Sequence, residues 1–235
     1  MRISEIIGKA IDIISAKPII LVPTLIPAIL QIIRDALKIG WTYSVVDYWG
    51  QFSDVDWEAM DPGQAMEIWR GFTPQLAVAG IADTIVGLVI WILGVIAFSM
   101  VISMAAAHFE GKEMNLSEAF NSISGKLLLL IVVSAIVWGG KLVGICALCI
   151  GALLVWVLLS LVRQGMIVDN LGIGATLSRS YEIAKSNFFD VLLILGLFFI
   201  VKIVFALIPV VGDGLGYLVD AFSVCAMTIL YFDRR

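Results

Sequence analysis

Six apolar runs divide this chain, and their length constrains the fold more than any other feature. They fall at roughly 18–39, 76–106, 127–142, 144–162, 189–208 and 214–232. A helix needs about 20 such residues to cross about 30 Å of hydrocarbon, where every backbone polar group must be satisfied within the protein. The expected fold is therefore all-α: a polytopic membrane protein of six transmembrane helices, with residues 1–235 forming a single transmembrane domain. Composition agrees, at 61% hydrophobic, 14% charged and mean hydropathy +1.04, against about 25% charged in soluble domains. The third and fourth runs are short and read as joined tightly around Gly139, Gly140 and Lys141. The N-terminal stretch carries Glu5 and Asp12 inside its apolar pattern, which a secretory signal does not tolerate.

Basic residues set the expected orientation. Arg2, Lys9, Lys17, Lys112, Lys126, Arg163, Arg179, Lys185, Arg234 and Arg235 would share one side, leaving Arg70 and Lys141 on the other. Both termini are thus expected in the cytoplasm.

A polar-apolar stretch precedes each odd-numbered run. Apolar residues recur every three or four positions: Ile3, Ile6, Ile7, Ala10 and Ile14; Leu116, Ala119, Phe120 and Ile123; Leu177, Tyr181, Ala184 and Phe188. That spacing is the signature of amphipathic helices, here expected to lie in the cytoplasmic interface. The chain then reads as three parallel helix-hairpin repeats, at about 2–110, 115–165 and 172–235, with an outer loop at 40–75.

The segment from Ile167 to Leu195, with Ala175, Arg179, Ser180, Lys185 and Phe188 in an A-x-x-x-S helix followed by basic and aromatic residues, resembles a group of bacterial and archaeal six-span proteins. The group includes the membrane domain attached to some glycerophosphoryl diester phosphodiesterases, together with related uncharacterised families. The N-terminal IIGKAIDIISAKPIILVPTLIP is similar in style to their first helix. The resemblance implies a fold and the plasma membrane of a prokaryote. It carries over no catalytic residue, because the phosphodiesterase chemistry of those proteins resides in a separate soluble domain.

Charges inside the apolar runs are the candidate site, since an intramembrane ionisable residue costs roughly 2.5–3.5 kcal/mol even on insertion scales. Counting 1.5 Å per residue places Arg34, Asp35, Asp83, Lys202 and Asp220, with Asp213 above, in one layer of the outer half of the membrane. Gly80, Asp83, Gly87 and Gly94 share a face of the second span, and Asp213, Gly216, Asp220 and Ser223 a face of the sixth. Pro27, Gln31, Arg34 and Lys38 run down one side of the first, which Pro18, Pro23 and Pro27 should bend. Three readings stand open. The charges pair and fasten helices, Lys202 with Asp83 or Asp220; or Lys202 snorkels to the headgroups; or the layer lines a wet vestibule for an ion or small polar solute.

Other chemistry finds little support. Asp54-x-Asp56-x-Glu58 opens like a calcium loop, but Ala59 and Ala65 stand where glycine and glutamate are needed. The remaining acidic residues of the outer loop are Asp47, Asp61 and Glu67, and Ser53 and Asp61-Pro62 are expected to start two short helices. Trp57, Met60, Met66, Trp69 and Phe72 would then rest on the outer interface. Cys146-x-x-Cys149 and Cys225 sit in apolar runs without further ligands, and His108 has no ligand partner, so no metal or cofactor is expected. No nucleophile motif or phosphate loop appears, and there is no basic patch for nucleic acid. The expected partners are the lipid bilayer, an ion or small polar solute, and a second copy or another membrane protein. Two functions follow as expectations: a transporter or channel-like protein with an outward-facing polar cavity, or a scaffold or accessory subunit whose charges are paired. A lipid-handling membrane enzyme is a distant third.

Overall fold

The computed structural model describes the backbone of residues 1–50, 61–146 and 150–235. Ser53, Asp54, Asp56, Trp57, Glu58, Ala59, Met60 and Cys149, and the side chains of Asp47, Ala65, Glu67, Trp69, Phe72 and Cys146, lie outside the described residues, and with them the calcium-loop comparison and the cysteine pair.

Among the described residues all regular structure is helical. In order these are α1 (Ile3–Ala16), a 3₁₀ turn (Pro18–Leu21), α2 (Val22–Gly50), α3 (Pro62–Phe109), α4 (Leu116–Ser124), α5 (Leu127–Cys146), α6 (Ile150–Leu158), α7 (Val162–Val168), α8 (Ile173–Ser186), α9 (Phe188–Ala206) and α10 (Gly212–Arg234). Six spans are long and apolar enough to cross a membrane: Pro18–Lys38, Gly80–Phe109, Leu127–Gly144, Ile150–Val168, Phe188–Ala206 and Gly212–Arg234. Leu128, Val143, Phe189 and Leu207 are each at least 74% exposed on their outer faces, a surface suited to hydrocarbon and not to water. The chain is a multi-pass membrane protein.

Three boundaries depart from the sequence reading, each for a physical reason. Gly139, Gly140 and Lys141 do not form the turn between the third and fourth spans; α5 continues through them to Cys146. Gly140 and Gly144, four apart, let α6 approach closely: a Cβ at Gly140 would lie 3.2 Å from Val155 Cγ1, and one at Gly144 would overlap the backbone of Ala152. The fourth span consequently runs six residues further along the chain than its first charge suggested, and Arg163 lies within it. The segment read as an outer loop at 40–75 is helical at 40–50 and 62–75. There α2 extends to Gly50, and α3 starts at Pro62 behind Asp61 and runs 48 residues, about 72 Å.

The termini meet at one end of the bundle. The Met1 amino group pairs with Asp233 at 2.8 Å, Arg234 reaches Asp190 at 3.2 Å, and Arg235 reaches Asp169 at 2.8 Å. The short helices gather at this end. Ile6, Ala10, Ile13 and Ile14 of α1 are buried and α1 packs on α10, while α4 packs on α3 behind a capping box of Asn115 and Glu118. α8 buries against the rest of the protein a face other than the apolar one expected on the interface. It presents Thr176, Ser180, Ile183 and Ala184, and leaves Tyr181 exposed, as Phe120 is on α4. The reason is the interruption between α6 and α7. Ser180 Oγ donates to the Leu158 carbonyl (2.8 Å) and accepts from Leu161 N–H (3.2 Å), and Thr176 Oγ1 donates to the Val162 carbonyl (2.7 Å). Two hydroxyls thus satisfy backbone groups that a broken helix releases.

Candidate functional site

Proline placement shapes the first span. Pro18 opens the 3₁₀ turn and Pro23 is the second residue of α2, where a missing N–H costs little; only Pro27 lies inside the helix. One and two turns beyond it, Gln31 donates to the Asp35 carboxylate (3.0 and 3.1 Å) along the same helix.

Arg34 makes a fork on Asp83 of α3. Nε and Nη2 each lie 2.7 Å from a carboxylate oxygen, and Nη2 also approaches the Asp83 carbonyl at 3.3 Å. Lys38 adds a second cation 3.2 Å from the same carboxylate. The geometry is the bidentate one that guanidinium favours. Gly87 makes room for it: a Cβ there would stand 2.9 Å from Arg34 Nη2.

Lys202 of α9 pairs with Asp220 of α10 at 2.8 Å, and a Cβ at the facing Gly216 would lie 3.1 Å from Lys202 Cε. Cα–Cβ bonds tilt toward a helix's N-terminus. Lys202 therefore leans toward the membrane centre and Asp220 away from the termini end, which is how the two meet. Their side chains keep 40% and 34% of their accessible surface, so the pair is formed but not sealed. Asp213 stands exposed in the first turn of α10.

The expected residues are thus brought together as two ion pairs, Arg34–Asp83 and Lys202–Asp220, with Asp35 held by its own helix. The glycines on these faces seat side chains of neighbouring helices. Gly87 seats Arg34, Gly216 seats Lys202, and Gly94 seats the Tyr217 ring, whose Cε1 would lie 3.2 Å from an added Cβ.

Two cations assigned to loops belong to this region. Lys141 and Arg163 are both half-buried within spans, and both lie within electrostatic reach of Asp220. Arg163 lies 5.5 Å from the centroid of the Phe98 ring, which stacks on Tyr217 at 5.9 Å. The Gly140-xxx-Gly144 spacing was the sequence signal for Lys141, because it argues for a continuing packed helix rather than a turn. For Arg163 the signal was the apolar Met166, Ile167 and Val168 beyond it.

Near the termini end, the Lys126 ammonium donates to the Met166 carbonyl at 3.2 Å, and partial burial holds its pKa below the usual lysine value. In the adjoining loop, Lys17 lies 2.8 Å from Glu113 and draws that carboxyl below the usual range. Among the described residues no cluster of three His, Cys, Asp or Glu side chains is placed to hold a metal.

Compared with protein-family models, curated proteins and solved structures, the chain matches none of them.

Proposed function

We propose that this multi-pass protein is a transporter or channel-like protein of a prokaryotic plasma membrane, with a polar cavity opening away from the termini. One observation carries the reading: the Lys202–Asp220 pair lies inside the spans yet keeps over a third of each side chain accessible. An ion pair serving only to join α9 and α10 would gain from being shielded, and an intramembrane charge that stays open is a site by default. With Lys141 and Arg163 moved into the spans, Arg70 is the remaining basic residue on the far side in the sequence reading, which supports cytoplasmic termini. Gathering of α1, α4 and α8 at one end supports three parallel units, each opened by an interfacial helix. The resemblance to the phosphodiesterase-associated membrane domain rests on the residues quoted above and adds no activity.

The test is access. Lys202→Cys, in a chain with Cys146, Cys149 and Cys225 replaced, should react with a membrane-impermeant thiol reagent from the far side only. Protection from both sides refutes the cavity.

A scaffold reading draws on the other pair, Arg34–Asp83, whose fork joins α2 to α3. It requires that Asp83→Asn with Arg34→Met recover expression lost in either single variant, with no solute flux in reconstituted vesicles.

A further inference from the structure

Among the described residues the charges around Asp220 do not balance. Lys141 and Lys202 each lie 14 residues from the start of their spans, at Leu127 and Phe188, roughly 21 Å along the helix axis, and Asp220 lies one turn nearer the termini than Gly216, which faces Lys202. Arg163 starts nearer the termini end, five residues from Val168. It lies on a helix running toward the termini, so its side chain leans outward, while Lys141, on a helix running the other way, leans inward. The helices concerned touch one another, α3 with α5, α7 and α10, α5 with α7, and α9 with α10. Among the described residues, three cations therefore converge on one carboxylate, which Lys202 already occupies. The next charged group along α10, Asp213, is exposed two turns away. The neighbouring set of Arg34, Lys38, Asp35 and Asp83 is neutral, so it lends no spare negative charge.

Arg163 sharpens the point. Its guanidinium has five N–H donors in a planar fork, yet among the described residues it makes no hydrogen bond or ion pair, and it stands 5.5 Å from the centroid of the Phe98 ring. Half-buried cations in excess require a counter-charge, and an arginine fork beside two ammonium groups matches the planar or tetrahedral oxygens of an oxyanion.

We infer that Arg163, Lys141 and Lys202 form a binding site for an oxyanion, a phosphate group carried either by a soluble solute or by a lipid headgroup. The site rests on the cavity reading and gives it a sign: the ligand is negative, and Asp220 holds Lys202 in place until it arrives.

The protein purified in maltoside micelles, which contain no phosphate, provides the test. Inorganic phosphate, or phosphatidylglycerol added to the micelles, should raise the melting temperature by about 5–10 °C at a hundredfold excess over Kd; chloride at matched ionic strength should not. Arg163→Gln and Lys141→Met should each weaken the response at least tenfold, while Lys112→Gln, at the termini end, leaves it unchanged. A response to inorganic phosphate identifies a soluble ligand, and a response to the lipid alone identifies a headgroup. Should the Arg163 variant fail to fold, Asp220→Asn serves instead: removing the competing carboxylate should tighten phosphate or lipid binding severalfold, and unchanged or weaker binding overturns the site. No response in the native protein to either probe also overturns it. If Lys202→Cys is nevertheless reached by the thiol reagent, the cavity stands and only its anionic ligand is refuted. If it is not reached, the cavity reading falls as well.

Discussion

Removing either partner of the Arg34–Asp83 fork should destabilise the bundle, but by unequal amounts. A fully buried pair broken on one side costs about 3–5 kcal/mol, and an exposed pair about 0–1 kcal/mol. With side chains 21% and 36% accessible, this pair falls between, at about 2 kcal/mol. The asymmetry comes from Lys38, 3.2 Å from the same carboxylate. Arg34→Met leaves Asp83 with one cation and should cost about 1–2 kcal/mol; Asp83→Asn strips the carboxylate from two cations at once and should cost about 2–3 kcal/mol. The double variant should cost less than the two singles together, with a coupling of about 1–1.5 kcal/mol. Reversible unfolding of purified protein by dodecyl sulfate in mixed micelles, followed by tryptophan fluorescence, measures all three. Equal single costs, or coupling below about 0.3 kcal/mol, would refute the shared-carboxylate geometry.

Three further outcomes follow from local contacts. Gly144→Val must push α6 away from α5 where the two backbones touch, so a loss of about 3 kcal/mol or more is expected in the same unfolding assay. Ser180→Ala leaves the buried Leu161 N–H and Leu158 carbonyl without their partner; the expected cost is about 2–3 kcal/mol, with faster amide exchange at Leu161, and an unchanged rate would contradict the bond. The Glu113 carboxyl, drawn down by Lys17, should titrate below its ordinary value by carbon-detected magnetic resonance and return to it in Lys17→Met. Because the folded pKa is the lower one, the stabilisation is present at neutral pH and disappears as pH falls through it.

The six spans were legible because twenty apolar residues have few other structures open to them. What misled was the use of the first charge as a span boundary. Arg163 ended the fourth run on paper, whereas a long side chain over Phe98 is tolerated inside the bundle. Glycines at 139, 140 and 144 look alike in sequence whether they turn a chain or admit a neighbouring helix. The close contacts at Gly140 and Gly144 decide for the second, and that decision carries Lys141 into the site. The inward face of α8 was hidden for a different reason. Nothing in the sequence marks Thr176 and Ser180 as inward-facing, because the carbonyls they bond come from a neighbouring helix pair, and that partner is set by tertiary structure. Depth alone left Lys202 open to Asp83 or Asp220; packing decides, because α9 lies against α10 while Arg34 and Lys38 hold Asp83.

That long third helix has a mechanical consequence. Of its 48 residues, Gly80–Phe109 are long and apolar enough to cross a membrane, and the same helix runs back from Gly80 to Pro62. A rod of about 72 Å pivoting near the membrane surface is a lever with arms of about 27 and 45 Å. A tilt of about 5° would swing the Phe109 end by about 4 Å, close to the Ser103–Ser122 contact that joins α3 to α4. A displacement imposed at Pro62 is therefore delivered, magnified, to the opposite face of the membrane, at a correspondingly smaller force.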